Sequence, residues 1–246
     1  MSHETASVQT RDSQCPVHVF TPAGGGSWPA VLFYMDGLGI RPTLFQMAQR
    51  LADAGYVVAL PDMFYRHGPY APLVPKEVFA SGDIMGKIGH LFRTTDNRRA
   101  GEDTGAFLAY LDTRKDVAGK KIGTTGYCMG GGMSLTAAGT WPGRVAAAAS
   151  FHGGGLASDS DMSPHLLASK MQAKIYVAGA DRDSFYPLEM AERLDWALTQ
   201  AGVDHRCEIY PNALHGWTMA DFPVYDEAAA ERHWDELLKL LKATLG

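Results

Sequence analysis

Apolar and polar positions follow two alternating periods along nearly the whole chain. Short apolar runs typical of β-strands lie at 17–20, 30–35, 56–60, 121–125, 145–151, 175–178 and 205–210. Segments with the apolar spacing of amphipathic helices lie at 44–54, 97–111, 188–200 and 227–245. Apolar runs joined by such helices are typical of parallel strands that are covered on both faces. The pattern therefore predicts an α/β fold with a doubly wound, mostly parallel sheet and helices on both faces.

One stretch of the chain, 61–96, interrupts this alternation. Its first part, 61–75, is rich in proline, glycine and aromatic residues, which favours irregular structure. The segment 77–92 has a helical pattern that glycines interrupt. Because no linker divides the chain, we expect one domain over 1–246, with the excursion around 61–96 covering the pocket.

Composition and charge narrow the classes of partner. The formal net charge is −5 and the basic residues are scattered, so we expect no nucleic-acid partner. No run approaches the ~18 apolar residues of a membrane span, so we expect no membrane partner. The polar N-terminus lacks a signal-peptide layout, which predicts a cytoplasmic location. Nothing in the sequence indicates an obligate interface, and we expect a monomer.

The three cysteines, Cys15, Cys128 and Cys207, lie far apart in the sequence. They form no Cys-x-x-Cys pair, which argues against a disulfide framework and against a zinc site. No motif indicates any metal or organic cofactor. A reducing compartment would leave each thiol free to react.

The sequence at 126–131, Gly-Tyr-Cys-Met-Gly-Gly, carries the strongest chemical signal. It lies between a predicted strand and a helix of small residues, which is the context of a nucleophile elbow. Such a turn is so sharp that its central residue is strained, and flanking glycines relieve the crowding. It would also place Cys128 at a helix N-terminus, where the dipole favours a thiolate. We therefore predict that Cys128 is a nucleophile rather than a buried structural cysteine.

A cysteine nucleophile needs a base and a group that orients the base. In an α/β-hydrolase the acid and then the histidine follow the nucleophile along the chain. His215 follows the strand predicted at 205–210, and we predict that it is the base. Asp181 follows the strand predicted at 175–178 and is the favoured acid, with Asp183 as its competitor.

The remaining candidate residues follow other predicted strands. An oxyanion hole needs two backbone N–H groups, and the candidates are those of Met129 and Gly37. Asp36 would bring a carboxylate toward the thiol and could modulate it, or it could simply cap a turn. His152 and Trp217 are candidates to line the pocket.

These residues resemble the dienelactone hydrolase family of the α/β-hydrolase superfamily. The resemblance covers most of the chain, and the Gly-Tyr-Cys-x-Gly-Gly elbow, Asp181 and the His215-Gly216 pair carry it. It implies a Cys128–His215–Asp181 triad that hydrolyses a small-molecule ester or enol lactone through an acyl-enzyme. Family members have a glutamate where Asp36 stands, and it helps to keep the resting thiol neutral until substrate arrives; the Asp36 side chain is one methylene shorter.

The sequence departs from the family in a second way. Family enzymes bind a substrate carboxylate with arginines, but the segment after His215 contains none, and neither does the stretch 75–83. Arg93, Arg98 or Arg99 could replace them only if the excursion folds back over the site. The aromatic and methionine residues of the excursion indicate either a more apolar pocket or ordinary core packing. A thioesterase or acyl-transfer enzyme with the same triad, a non-catalytic binding protein of this fold, and a redox-sensing thiol protein remain as alternatives.

Overall fold

The computed structural model describes residues 2–246, which contain eight strands and seven α-helices. The strands are β1 (Ser2–Gln9), β2 (Gln14–Thr21), β3 (Trp28–Tyr34), β4 (Val57–Pro61), β5 (Val117–Tyr127), β6 (Val145–Phe151), β7 (Lys174–Arg182) and β8 (His205–Leu214). The helices are α1 (Pro42–Asp53), α2 (Pro75–Ala80), α3 (Ile84–Phe92), α4 (Asn97–Thr113), α5 (Met129–Thr140), α6 (Leu188–Gln200) and α7 (Glu227–Leu245).

All eight strands form one sheet in the order β1-β2-β4-β3-β5-β6-β7-β8. β1 pairs antiparallel with β2, and β2 with β4, while every other pair is parallel. Neighbouring residues of β5 show that helices cover both faces. A β-carbon on Gly123 would meet Leu241 of α7, whereas the Thr124 hydroxyl bonds Ser134 of α5. The predicted fold class is therefore confirmed.

The structure differs from the predicted elements in the N-terminal segment and in the excursion, and also at the end of β7, which is described with the site below. The polar N-terminal segment forms β1, an edge strand with mostly exposed side chains, so it lacks the apolar run that would have revealed it. The segment predicted as one interrupted helix forms α2 and α3. The chain breaks between them at Gly82, and the Asp83 carboxylate caps α3 by accepting from the Gly86 N–H.

The sheet positions the site through the ends of its parallel strands. Cys128, His152, Asp183 and His215 are each the residue that directly follows a strand, namely β5, β6, β7 and β8. Ligand sites of open α/β sheets lie at the carboxyl ends of the strands. Within residues 2–246, no helix combines the length and apolar character that crossing a bilayer requires.

Candidate active site

The turn from β5 into α5 holds Cys128 in a strained conformation. Its φ and ψ are 54° and −119°, in the left-handed half of the map that non-glycine residues rarely occupy. A β-carbon on Gly126 would lie 1.8 Å from the Gly130 carbonyl oxygen. A β-carbon on Gly130 would lie 2.4 Å from the Tyr34 carbonyl oxygen of β3. Both glycines are therefore needed for the close approach that forms the elbow.

The imidazole of His215 lies between Cys128 and a buried carboxylate. His215 Nδ1 is 2.7 Å from Asp183 Oδ2, and the Asp183 side chain is fully buried. The other Asp183 oxygen accepts a hydrogen bond from the Phe185 N–H at 2.9 Å. Burial opposes the charged ring, but the charge and hydrogen bond of Cys128 and the hydrogen bond of Asp183 outweigh it and raise the pKa of His215 to about 10. Cys128, His215 and Asp183 therefore form one connected group.

The preference for Asp181 over Asp183 is corrected by this geometry. Asp181 is exposed, and its Oδ2 accepts from the Asn212 N–H at 2.7 Å. The reason is the length of β7, which was predicted to end at Ala178 but continues to Arg182 because it pairs with β8. Asp181 therefore lies within the strand and ties β7 to the left-handed Asn212 (φ 61°), while Asp183 lies at its end.

His152 supports Cys128 from inside the protein. It is fully buried, and its Nδ1 accepts from the Cys128 N–H at 3.1 Å, so that its Nε2 carries the proton and donates to the Thr218 hydroxyl at 2.7 Å. The same Cys128 N–H also bonds the Phe151 carbonyl at 3.1 Å. Burial, together with the neighbouring His215 and other cations, holds the pKa of His152 well below its usual range. His152 is therefore a neutral hydrogen-bond acceptor for the elbow.

The expectation that His152 and Trp217 line the pocket is corrected. Both side chains are fully buried, and neither lines the cavity beside Cys128. The Trp217 ring packs edge-on against His152 with their centroids 5.0 Å apart. Trp217 therefore supports the interior side of His152.

The two backbone N–H groups that the sequence analysis assigned to an oxyanion hole both lack an acceptor within residues 2–246. Met129 is the first residue of α5, so its N–H has no acceptor within the helix. Gly37 lies in the loop after β3, and its N–H has no partner among residues 2–246. The Tyr34 and Met35 carbonyls of the same segment touch Gly130 in the first turn of α5. The loop therefore packs directly against the helix end that carries Cys128.

Asp36 forms an ion pair with Arg41, which the sequence analysis did not identify. Its two carboxylate oxygens each accept a hydrogen bond from the Arg41 guanidinium at 2.7 Å, and Oδ1 also accepts from the Leu38 N–H. Arg41 further bonds Asp221 at 2.7 and 3.2 Å, and its side chain is only 3% exposed. Asp36 is thus both a turn cap and a member of a buried ion network. The only feature of the sequence that could have indicated this network is the arginine five residues after Asp36.

A cavity of about 230 Å³ opens beside the elbow. Its apolar side consists of one aromatic ring and three thioethers: Phe92, Met129, Met133 and Met162. Hydroxyl and amide groups form the polar side, and Asp96 is its only ionisable lining residue. Phe92 also packs against Gly37, where a β-carbon would lie 2.6 Å from the ring. Met129 of the elbow therefore lines the cavity directly, Phe92 separates the cavity from Gly37, and residues of the excursion form part of its wall.

One group of potential metal ligands lies close together outside this site. One oxygen, nitrogen or sulfur atom from each of Asp195, His205 and Cys207 lies within 4.8 Å of the others. His205 begins β8, whereas His215 follows its end. This group therefore lies at the opposite end of the strand from Cys128 and takes no part in the site.

Comparison with known proteins agrees with this architecture. The model of the dienelactone hydrolase family matches residues 16–245. A Synechocystis relative, provisionally named a carboxymethylenebutenolidase, is 25% identical over 97% of this chain and 95% of its own length. An Escherichia coli relative with the same provisional name is 25% identical over 94% of this chain and 83% of its own length.

Solved structures share the fold over the full chain length. A provisionally named dienelactone hydrolase from Klebsiella pneumoniae superimposes with a TM-score of 0.84 at 19% identity, covering 98% of each chain. A dienelactone hydrolase-like promiscuous phosphotriesterase from metagenomic libraries gives a TM-score of 0.77 at 22% identity, covering 100% of this chain and 99% of its own.

Proposed function

The chain belongs to the dienelactone hydrolase family, and from that membership we propose that it cleaves an ester or enol-lactone bond through Cys128, His215 and Asp183. The observation that carries the proposal is the connected group at the strand ends. Asp183 lies 2.7 Å from one nitrogen of His215, and Cys128 bonds the same ring. A nucleophile, a base and an orienting carboxylate in this relation are typical of acyl-transfer hydrolases.

In the first half of the reaction, the Cys128 sulfur attacks the carbonyl carbon. The carbonyl oxygen becomes an oxyanion that accepts hydrogen bonds from the Met129 and Gly37 N–H groups. Asp183 holds Nδ1 of His215, so Nε2 is the nitrogen that serves Cys128. When the tetrahedral intermediate collapses, the carbon–oxygen bond breaks and His215 gives its proton to the departing oxygen. The raised pKa of His215 favours the charged ring that this step requires.

The second half regenerates the enzyme. Water attacks the thioester of Cys128, and His215 removes one of its protons as the oxyanion forms again. Collapse expels the sulfur, which recovers a proton from His215, and releases the carboxylic acid. No metal or organic cofactor takes part in this sequence. We further propose that the protein acts as a monomer in the cytoplasm, where reducing conditions would keep the Cys128 thiol available.

The proposal is tested by replacing Cys128. The variant Cys128→Ala should lower kcat/KM by about 10⁴-fold or more on an aryl ester or enol lactone, since no other group forms the acyl-enzyme. Cys207→Ala is the matched control, because Cys207 is also a free, partly buried cysteine but lies at the start of β8. Mass spectrometry of the wild-type protein with a slowly hydrolysed ester should find the acyl group on the peptide that contains Cys128.

Hydrolysis at a near wild-type rate in Cys128→Ala would overturn the mechanism. An acyl thioester is included among the substrates, because a thioesterase would use the same residues. A thioester preferred over every oxygen ester would replace the proposed substrate class and leave the residue roles intact.

A further inference from the structure

We propose that the group seated in the cavity beside the oxyanion loop is small and uncharged, so that the substrate is a neutral ester or lactone. This inference rests on the proposed function and concerns the substrate of that same site. It follows from the position of the cavity, the charge of its lining, the pairing of the neighbouring arginines and the chemistry of its wall.

The cavity lies beside the elbow, where it can bind the part of the substrate next to the reacting carbonyl. Met129, which directly follows Cys128, forms part of its wall. Phe92 forms another part and covers Gly37 on the other side of the oxyanion hole. We therefore infer that a group attached to the reacting carbonyl occupies this cavity.

The lining carries negative rather than positive charge. Asp96 is its only ionisable residue, and the side chain is 27% exposed. Asp96 caps α4 by accepting from the Arg99 N–H, while the Arg99 guanidinium lies 3.5 Å away and is 44% exposed. An exposed pair at this distance is weak and screened by salt. A carboxylate in the cavity would therefore lose hydration and meet repulsion from Asp96.

No arginine lines the cavity, and two arginines near the site are paired with protein carboxylates. Arg41, behind the oxyanion loop, is buried between Asp36 and Asp221. Arg98, at the start of α4, has its guanidinium 2.7 Å from Asp161. Withdrawing Arg41 to bind a substrate carboxylate would leave a buried aspartate without its counter-charge, which is strongly unfavourable.

The size and chemistry of the wall also favour a small, uncharged group. A volume of about 230 Å³ is below the roughly 300–1,000 Å³ of pockets that hold drug-sized ligands. Three methionines and Phe92 offer a polarizable surface that suits an unsaturated or aromatic group. The hydroxyl of Thr95, which also lines the cavity, is buried and makes no hydrogen bond within residues 2–246. That hydroxyl is a candidate partner for a neutral polar atom of the substrate.

The test measures binding to Cys128→Ala, so that it does not depend on turnover. Two ligands are titrated by calorimetry: 4-carboxymethylenebut-2-en-4-olide and its methyl ester, which share one ring and differ in one charge. The methyl ester should bind about tenfold more tightly than the acid or better, because one unfavourable charge is removed. Equal or tighter binding of the acid would overturn the proposal, and so would failure of both ligands to bind.

Charge at the cavity is then changed at Asp96. Asparagine caps helices as well as aspartate does, so Asp96→Asn removes the charge and keeps the cap. The ratio of the two affinities should shrink by about threefold to tenfold. Asp83→Asn is the matched control, because Asp83 caps α3 in the same way but does not line the cavity. If Asp96→Asn leaves the ratio of the two affinities unchanged, the electrostatic argument is contradicted.

Turnover by Cys128→Ala is measured separately, and its loss or survival tests only the proposed function.

Discussion

Two imidazoles, those of His152 and His215, lie next to Cys128 and differ in their burial, their hydrogen-bond partners and their pKa. The His152 and His215 rings meet edge to face, with their centroids 5.2 Å apart. His215 is partly exposed, contacts Asp183, and has its pKa raised to about 10. His152 is fully buried, contacts a backbone N–H and a hydroxyl, and has its pKa lowered well below the usual range.

The difference shows how surroundings divide tasks between identical side chains. The Cys128 thiolate and the Asp183 carboxylate favour the charged form of His215, which suits proton transfer. Neutral partners and burial favour the uncharged form of His152, which leaves one ring nitrogen free to accept from the Cys128 amide. A proton on His152 would remove that acceptor and place two positive rings in contact. The neutral state of one ring is therefore a condition for the charged state of the other.

The largest expected effect comes from breaking the His215 side of the pair. Asp183→Asn should lower kcat by about 10⁴-fold, since the ring loses the carboxylate that fixes its tautomer. The matched control is Asp181→Asn, two residues away, which removes the same charge, keeps an amide oxygen to accept from the Asn212 N–H and touches no ring. We expect the control to retain kcat within about threefold and to lose about 1 kcal/mol or less of unfolding free energy, because the hydrogen bond persists without its charge.

Steady-state kinetics on one aryl ester, together with urea unfolding, checks both variants. The opposite outcome, in which Asp181→Asn is the inactive variant, would return the acid role to Asp181. It would also show that the observed Asp183–His215 hydrogen bond is not the one used in the reaction.

These two aspartates also show how far the sequence determines the site. The elbow and His215 could be predicted because their signals are local: a glycine-rich turn between a strand and a helix, and a histidine after the last strand. The carboxylate that bonds His215 could not be identified, because it follows the end of β7 and that end depends on pairing with β8. Pairing between strands is a long-range property that apolar periodicity does not report.

Other features could not be predicted from the sequence for similar reasons. β1 is an exposed edge strand and has no apolar run. The Arg41 network joins residues 180 positions apart, and the neutral state of His152 arises from complete burial. By contrast, the fold class could be predicted because all seven apolar runs overlap strands. Contacts that connect distant segments therefore account for the differences.

A smaller effect is expected from breaking the His152 side. His152→Phe keeps an aromatic ring but removes one of the two acceptors of the Cys128 N–H and leaves the Thr218 hydroxyl without its histidine partner. We expect a loss of about 1–3 kcal/mol in unfolding free energy and a fall in kcat of about tenfold, because a less rigid elbow positions the sulfur less well. Urea unfolding and kinetics on the same ester measure the two effects.

The control for this variant is a second buried histidine. His233 lies under the elbow, where its Nε2 is 3.2 Å from the Tyr127 hydroxyl, and it makes no contact with Cys128. His233→Phe should cost similar unfolding free energy but change kcat little. Equal losses of kcat in the two variants would mean that His152 acts only through general stability.

The smallest effect is the pH dependence of stability, where the two rings act at opposite ends of the range. The folded-state pKa of His215 is raised from 6.5 to about 10, so its contribution to stability is fully present below 6.5 and is lost as pH rises through about 10. The pKa of His152 is lowered, so the unfolded chain binds its proton first, and stability falls as pH drops below 6.5.

Urea unfolding across this range gives the unfolding free energy against pH. The alkaline limb of that curve should be flatter in His215→Gln, and the acid limb should be flatter in His152→Phe. The acid limb should not vanish, because the pKa of buried His233 is lowered to about 3 and contributes with the same sign. Parallel curves for wild type and both variants would contradict the division of charge between the two rings.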